Sequence, residues 1–328
     1  MPNKKILIIA PAWIGDLIMS ASFIKALKKN QNNSIDILVN SNLLNLANVI
    51  PGIRKVIASK TEHGRLSLIY RIKKGLSLRS EQYDECYILT NSYKSAIIPF
   101  IARIKKRISY LGEFRYGLIN IIKQPIERNL GMVNRYLHLI DQKYTHKVDP
   151  VFDIKTDKEL IFNKYKFDGK YIVFCPDAEY GPAKRWPANK WLKLATDLSQ
   201  LHKVIIVGLD ISISDAFRPV ESDKIINLIG KTNLVEVMQI IASSEGVISN
   251  DSGLMHVSAS LDKKIIALYG SSSPTYTPPL ISKEKRDIIY KDLDCSPCFK
   301  RVCPLGHTKC LNDIKVEEVK ESVTKLFQ

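Results

Sequence analysis

Three segments of this chain bring together side chains suited to handling a phosphorylated molecule. The first is Ile248-Ser249-Asn250-Asp251-Ser252-Gly253-Leu254-Met255-His256. An apolar run ends there in a small polar turn that opens a helix, where an α/β sheet offers backbone N–H groups and the positive end of a helix to a phosphate. Ser252 and Gly253 let a ligand approach the backbone, and His256 follows one turn later on the same face. The same residues also suit an N-cap and a core histidine. The second segment is 176–187, in which Lys184 is a point charge suited to a diphosphate and Arg185, its neighbour, should face the other way. The third is Pro11-Ala12-Trp13-Ile14-Gly15-Asp16. It lacks the glycines of a dinucleotide loop, but it places a carboxylate near a helix start, where an acceptor hydroxyl would find its general base. A plain first-turn acid also fits there.

Weaker candidates join these. Asp210, just after a strand, is of a type that accepts from ribose hydroxyls. Gly230-Lys231-Thr232 ends the next strand, and its backbone faces the space a base would need. Cys295, Cys298, Cys303 and Cys310 form C-x2-C-x4-C-x6-C with His307 inside. Thiols so close together suggest a structural zinc clip, although the spacing is not that of a standard zinc ribbon. Reduced packing cysteines or a redox-labile loop are the alternatives. Cys86 and Cys175, inside strands, read as buried inert thiols.

The elements that must position these residues follow from hydrophobic pattern. Short runs apolar on both faces, at 5–10, 35–39, 55–58, 85–89 and 107–111, alternate with helical stretches at 17–29, 66–79 and 94–104. The second half repeats this with strands at 171–175, 204–208, 225–229, 246–249 and 264–269, and helices at 189–201, 234–243 and 253–261. The chain therefore reads as α/β, with two doubly wound domains facing across a cleft, 1–150 and 151–328. The polar stretch 141–158 is the linker, and 316–327 is a closing amphipathic helix.

With 328 residues, 45% of them hydrophobic and 25% charged, the chain is globular and long enough for two cores. Residues 1–150 hold 24 Lys and Arg against 10 Asp and Glu, a net +14, while 151–328 hold 25 against 23, a net +2. A one-sided excess points to an anionic partner of the first half. The apolar run 6–24 follows two lysines and superficially resembles a membrane span, but Pro11, Gly15 and Asp16 interrupt it. A central Asp alone costs about 2.5–3.5 kcal/mol in a bilayer. A cytoplasmic protein is expected.

The residues 10–16, 91–96, 112–118, 176–187, 250–256 and 269–274 together resemble the ADP-heptose:lipopolysaccharide heptosyltransferases of glycosyltransferase family 9, in particular their type II branch. The resemblance runs in order from residue 4 to about residue 280, and the cysteine segment looks like an element present in some members. It implies a GT-B fold of two Rossmann-like domains, the first binding acceptor and the second binding ADP-heptose. It also implies inverting, metal-independent heptosyl transfer onto the first heptose of the lipopolysaccharide inner core, with no cofactor.

By position, Asp16 is then the base and Lys184 neutralises the diphosphate with the backbone of Ser252 and Gly253. Asp251 and His256 meet the heptose–diphosphate region, Asp210 the ribose, and Thr232 the adenine through its backbone. At the Asp210 position the family more often has Glu or a shifted acid. Lys94, Arg115 and Arg135 are candidates for the anionic acceptor. The run Arg103, Lys105, Lys106 and Arg107 faces acceptor or membrane, or is a solvated surface, in particular at Arg107; the resemblance implies a protein peripheral on the inner face of the inner membrane. The rivals are another family 9 transfer, of the first or third heptose or of a hexose, and nucleic-acid binding. The latter is weakened by the lack of interleaved aromatic and basic residues or any nucleic-acid module.

Overall fold

The computed structural model describes residues 4–29, 32–61, 64–143, 152 and 157–327. The chain divides into two compact units, Met1–Lys147 and Val148–Gln328. Most of the expected linker, 141–158, lies outside the described residues.

Unit 1 runs β1 (Lys5–Ile9), α1 (Ile14–Lys28), β2 (Ser34–Asn40), α2 (Leu44–Asn48), β3 (Lys55–Ser59), α3 (Leu68–Ser77), β4 (Glu85–Ile88), α4 (Ile97–Ile101), β5 (Lys106–Tyr110), β6 (Ile121–Lys123) and α5 (Gly131–Leu137). Its strands pair in parallel in the order β3-β2-β1-β4-β5-β6. The apolar run at 6–24 is explained here. It builds a central strand and a helix that is buried almost all round, with Leu17, Ile18, Met19, Phe23 and Ile24 in the core. Among the described residues no helix is long and apolar enough to cross a membrane.

Unit 2 runs α6 (Lys158–Tyr165), β7 (Tyr171–Cys175), α7 (Ala188–Leu198), β8 (Lys203–Ile206), α8 (Ile211–Phe217), β9 (Ile225–Asn227), α9 (Leu234–Ser243), β10 (Gly246–Asn250), α10 (Gly253–Ser260), β11 (Lys264–Tyr269), β12 (Arg286–Tyr290), α11 (Lys309–Asn312) and α12 (Val316–Phe327). The sheet order is β12-β11-β10-β7-β8-β9, again parallel throughout. Counted from β7, this is the same winding as in unit 1. α12 closes the unit by burying Val316, Val319, Val323 and Leu326 beside Trp186 and Trp191. A Cβ on Gly246 would lie 2.5 Å from the Phe327 ring, so glycine at the start of β10 leaves room for the ring that ends α12.

Each unit therefore has the Rossmann-like architecture expected of a GT-B chain. In such sheets ligands bind beyond the carboxyl ends of the strands where the winding reverses. Those strands are β1 and β4 in unit 1, and β7 and β10 in unit 2. The residues after them are 10–16, 89–96, 176–187 and 251–256, where most of the candidate chemistry lies.

Candidate active site

Asn250, fully buried as the last residue of β10, ties both ends of the loop that leaves β7. Its Nδ2 donates to the Pro176 carbonyl at 2.6 Å, and its Oδ1 accepts from the Trp186 backbone N–H at 3.1 Å. Trp186 is anchored in the core, its indole donating to Ile314 O at 3.1 Å. The loop is thereby pinned so that Lys184 reaches back over the sheet. Its Nζ lies 2.5 Å from Asp251 Oδ2. The Asp251 side chain is 3% exposed and the Lys184 side chain 16%, which puts the ammonium at the mouth of the site with the carboxylate beneath it. Ser272 donates its hydroxyl to the same Asp251 oxygen, and Tyr180 sets its ring 5.0 Å from the ammonium.

α10 begins beside this pair. Ser252 is its N-cap residue with an extended backbone, but its hydroxyl does not cap the helix; it lies 3.3 Å from the Ser249 hydroxyl. Ser252 and Gly253 are only half-buried, so the uncapped helix start is open to a ligand. One turn along, His256 is 4% exposed and its Nδ1 has no protein partner. Burial, opposed by the Asp251 carboxylate and aided by the Lys184 ammonium, holds its pKa down at about 4, so the ring is neutral at pH 7.

A stability consequence follows. Below pH 6.5 the unfolded chain takes up a proton that the folded ring refuses until about pH 4. Stability should therefore fall with falling pH through that window, by up to about 3 kcal/mol. Urea unfolding at several pH values should show this loss in the wild-type chain and a flattened profile in His256→Gln. Identical profiles would mean that His256 carries its proton normally when folded.

Two further donor-side candidates, Asp210 and Thr232, also lie in unit 2. Asp210 is an N-cap: its carboxylate accepts from the Ser212 N–H at 3.0 Å and from the Ser212 hydroxyl at 2.7 Å. Its other oxygen pairs with Arg185 at 2.7 Å, and Arg185 also reaches Asp177 at 3.0 Å. Both oxygens of Asp210 are thus engaged in fixing α8 to the 176–187 loop. Thr232 is buried at 8% exposure with a hydroxyl that has no protein partner. Gly230, at φ +73°, turns the chain just before it.

In unit 1, Asp16 stands half-buried in the first turn of α1, beyond the end of β1. Lys94 follows β4 and donates to the Arg65 carbonyl at 3.3 Å. Arg135 lies 4.4 Å from the Tyr110 ring centre and is half-buried. Arg115 is corrected. It is fully buried, and all three guanidinium nitrogens are bonded, to Leu111 O, Thr90 O, Ser95 Oγ, Ser109 Oγ and Tyr110 O among others. Burial lowers its pKa to about 10. It knits the loops after β4 and β5 together and presents no donor to a ligand. In the basic run, Lys106 pairs with Glu85 at 3.3 Å, and Arg107 bonds the carbonyls of Ile104 and Leu118; Arg103 and Lys105 are exposed.

The cysteine segment braces the Lys184 loop. The Ala183 N–H donates to Arg301 O at 3.1 Å and the Tyr180 hydroxyl to Phe299 O at 2.7 Å. A Cβ on Gly181, at φ +146°, would stand 2.6 Å from Arg301 O, so this approach needs glycine. The four thiols and His307 line one small cavity with Ala183 and Ser271. Yet among the described residues no group of three or more His, Cys, Asp or Glu side chains is placed to hold a metal ion, so the arrangement does not form the expected zinc clip.

The thiols differ in character. Backbone N–H groups, chiefly that of Thr308, hold the Cys303 thiol below its ordinary range. Burial pushes the fully enclosed Cys86 and Cys175 thiols up. At pH 7 a maleimide should label Cys303 at least about tenfold faster than Cys86 or Cys175. Peptide mapping of a timed reaction would read the order, and equal rates would contradict it.

Some contributors carry little sequence signal. Ser272 sits in a run of small residues after β11, next to the reversal of the winding, and that position is the signal for it. Asn250 reads as one more polar turn residue, and its double clasp is visible only in three dimensions.

The profile of glycosyltransferase family 9 (heptosyltransferase) matches residues 69–309. The chain is 35% identical over 345 residues to lipopolysaccharide heptosyltransferase 2 of Escherichia coli strain K12, covering 98% of each. It is 38% identical over 300 residues to lipooligosaccharide heptosyltransferase 2 of Haemophilus influenzae, covering 85% of this chain and 86% of that one. The solved structure of E. coli ADP-heptose lps heptosyltransferase II superposes with a TM-score of 0.85 at 31% identity, covering 98% of both chains.

Proposed function

The chain belongs to glycosyltransferase family 9, the heptosyltransferases, and from that premise we propose that it transfers a heptosyl group from ADP-heptose to the first heptose of a lipopolysaccharide inner core, with inversion and without a metal. The observation that carries this reading is the Lys184–Asp251 pair beside the uncapped start of α10, at the winding reversal of unit 2. A partly exposed ammonium and a set of helix N–H groups are what a departing diphosphate needs when its charge grows.

In the proposed reaction the ADP-heptose diphosphate lies on Ser252 and Gly253, with Lys184 at its oxygens. His256, neutral at pH 7, adds a ring nitrogen toward the heptose–diphosphate region, and Thr232 offers its backbone to the base. Asp16 accepts the proton of the attacking hydroxyl. The oxygen forms its bond to the anomeric carbon as the bond from that carbon to the phosphate oxygen breaks, and ADP leaves with the electron pair. Attack opposite the leaving group inverts the anomeric centre. Lys184 and the helix start supply the charge that a divalent ion supplies elsewhere. Lys94 and Arg135 are assigned to the anionic acceptor, but Arg115 is not.

The +14 of residues 1–150 suits an acceptor rich in phosphate and carboxylate groups, anchored in the inner face of the inner membrane. There the chain would work as a peripheral protein on the cytoplasmic side. NMR of the product formed with excess EDTA tests the finer chemistry. Opposite anomeric configurations in donor and product, at an undiminished rate, are expected. A retained configuration, or dependence on an added cation, would overturn it.

A further inference from the structure

Helix α3 is turned inside out for a helix bathed in water. The side it keeps from solvent carries Arg71, 6% exposed, with Gly75 and Leu78. Its outward side carries Leu68, Ile69, Ile72 and Leu76, which are 46, 72, 37 and 46% exposed, and Leu66 just before the helix is 48% exposed. At 3.6 residues per turn those four helix positions fall within a stripe about 100° wide.

The orientation is locked. A Cβ on Gly75 would lie 2.6 Å from the Ile101 side chain and 2.9 Å from Ile98 O, so α3 presses its backbone onto α4 at the one residue that permits it. Arg71 is held there, its Nε donating to Leu66 O at 2.6 Å and its Nη1 to Lys94 O at 3.0 Å. Turning the leucines inward would break both bonds and drive a side chain into α4.

Charge says what covers the stripe. Residues 64–80 contain five Lys and Arg and no Asp or Glu. Arg65, Lys73 and Arg79 are exposed and Lys74 is half-buried. A second copy packed face to face would set these cations against their equals. An anionic bilayer offers acyl chains to the stripe and phosphates to the cations, the pairing that seats an amphipathic helix in a membrane interface.

We propose that α3 is the membrane-docking element of this protein, lying in the plane of an anionic leaflet with Ile69, Ile72 and Leu76 among the acyl chains. The inference rests on the proposed function only for the choice of membrane, the one that holds a lipid-anchored acceptor. Because Arg71 and Arg65 both meet Lys94, through Lys94 O and Nζ respectively, docking α3 would bring the proposed acceptor-binding loop to the leaflet surface.

The test uses the full chain and sedimentation with vesicles of phosphatidylglycerol or phosphatidylcholine. The wild-type chain should bind the former and not the latter. The triple variant Ile69→Ser, Ile72→Ser and Leu76→Ser should bind phosphatidylglycerol about a thousandfold more weakly, as each of the three lost apolar contacts accounts for about a factor of ten. Its thermal melt, and its rate on a delipidated water-soluble acceptor, should match the wild type, since these side chains already face water. Brominated acyl chains should quench the added fluorescence of Ile69→Trp. Three results would overturn the proposal: no binding by the wild type, unchanged binding by the triple variant, or a wild-type dimer that the triple variant converts to monomer. A chain that docks in this way but transfers no heptose would overturn the proposed function and leave α3's role standing.

Discussion

Asp16→Asn should lower heptosyl transfer by about a thousandfold while leaving ADP affinity within about twofold, because a general base typically contributes about 10²–10⁴-fold and Asp16 is assigned no donor contact. The substitution keeps the side-chain shape in the first turn of α1, where Asp16 is half-buried, so the fold should tolerate it. Initial rates with saturating donor give the first quantity, and calorimetric titration with ADP gives the second. Near-normal turnover would remove Asp16 from the chemistry. A parallel loss of ADP affinity would assign it to donor binding instead.

Lys184→Met should be damaging in two separable ways. It strands Asp251, whose side chain is 3% exposed, against the Ser272 hydroxyl. Breaking a buried pair from one side costs about 3–5 kcal/mol, so the melting temperature should drop. It also removes the cation proposed to meet the leaving diphosphate, and loss of one such preorganised group typically lowers turnover by about 10²–10³-fold. The double variant Lys184→Met with Asp251→Asn distinguishes these effects. With the buried charge gone, its melting temperature should return most of the way, while kcat/KM stays low. Recovery of kcat/KM together with stability would reduce the pair to a structural bridge.

Much of this was legible in the residues because a doubly wound sheet writes itself as short, doubly apolar runs. β1, β4, β7, β10 and β11 are such runs, and the positions that follow them locate Asp16, Lys184, Asp251 and Ser252 without any coordinates. Edge strands are harder. Residues of β6 and β12 are half-exposed, and Arg286 and Asp287 dilute the apolar pattern of β12, so neither stood out. Short helices fixed by tertiary contacts, such as α8 with its Asp210 cap, also lack a periodic signal.

At the site, residue type proved less informative than position. Arg115 and Lys94 look alike as acceptor cations, yet one is sealed under six carbonyl and hydroxyl oxygens and the other is half-buried beside the Arg65 carbonyl. Asp210 reads as a ribose acid, and the fold also uses it to cap α8 through Ser212 and to pair with Arg185. The cysteine spacing suggested an ion, whereas what the segment does in the fold is hold Tyr180 and Ala183, and so Lys184, in place. Arg185 is expected to face away from its neighbour Lys184, and it pairs with Asp177 and Asp210 while Lys184 pairs with Asp251; those partners carry no signal in the sequence.

The most direct test of the whole account is mass spectrometry of two acceptors incubated with the purified chain and ADP-heptose, one inner core ending in a single heptose and one lacking heptose. The single-heptose acceptor should gain one heptosyl unit for each ADP released, and the heptose-free acceptor should remain unchanged. Transfer to the heptose-free acceptor alone, or ADP release with no gain in mass on either, would contradict it.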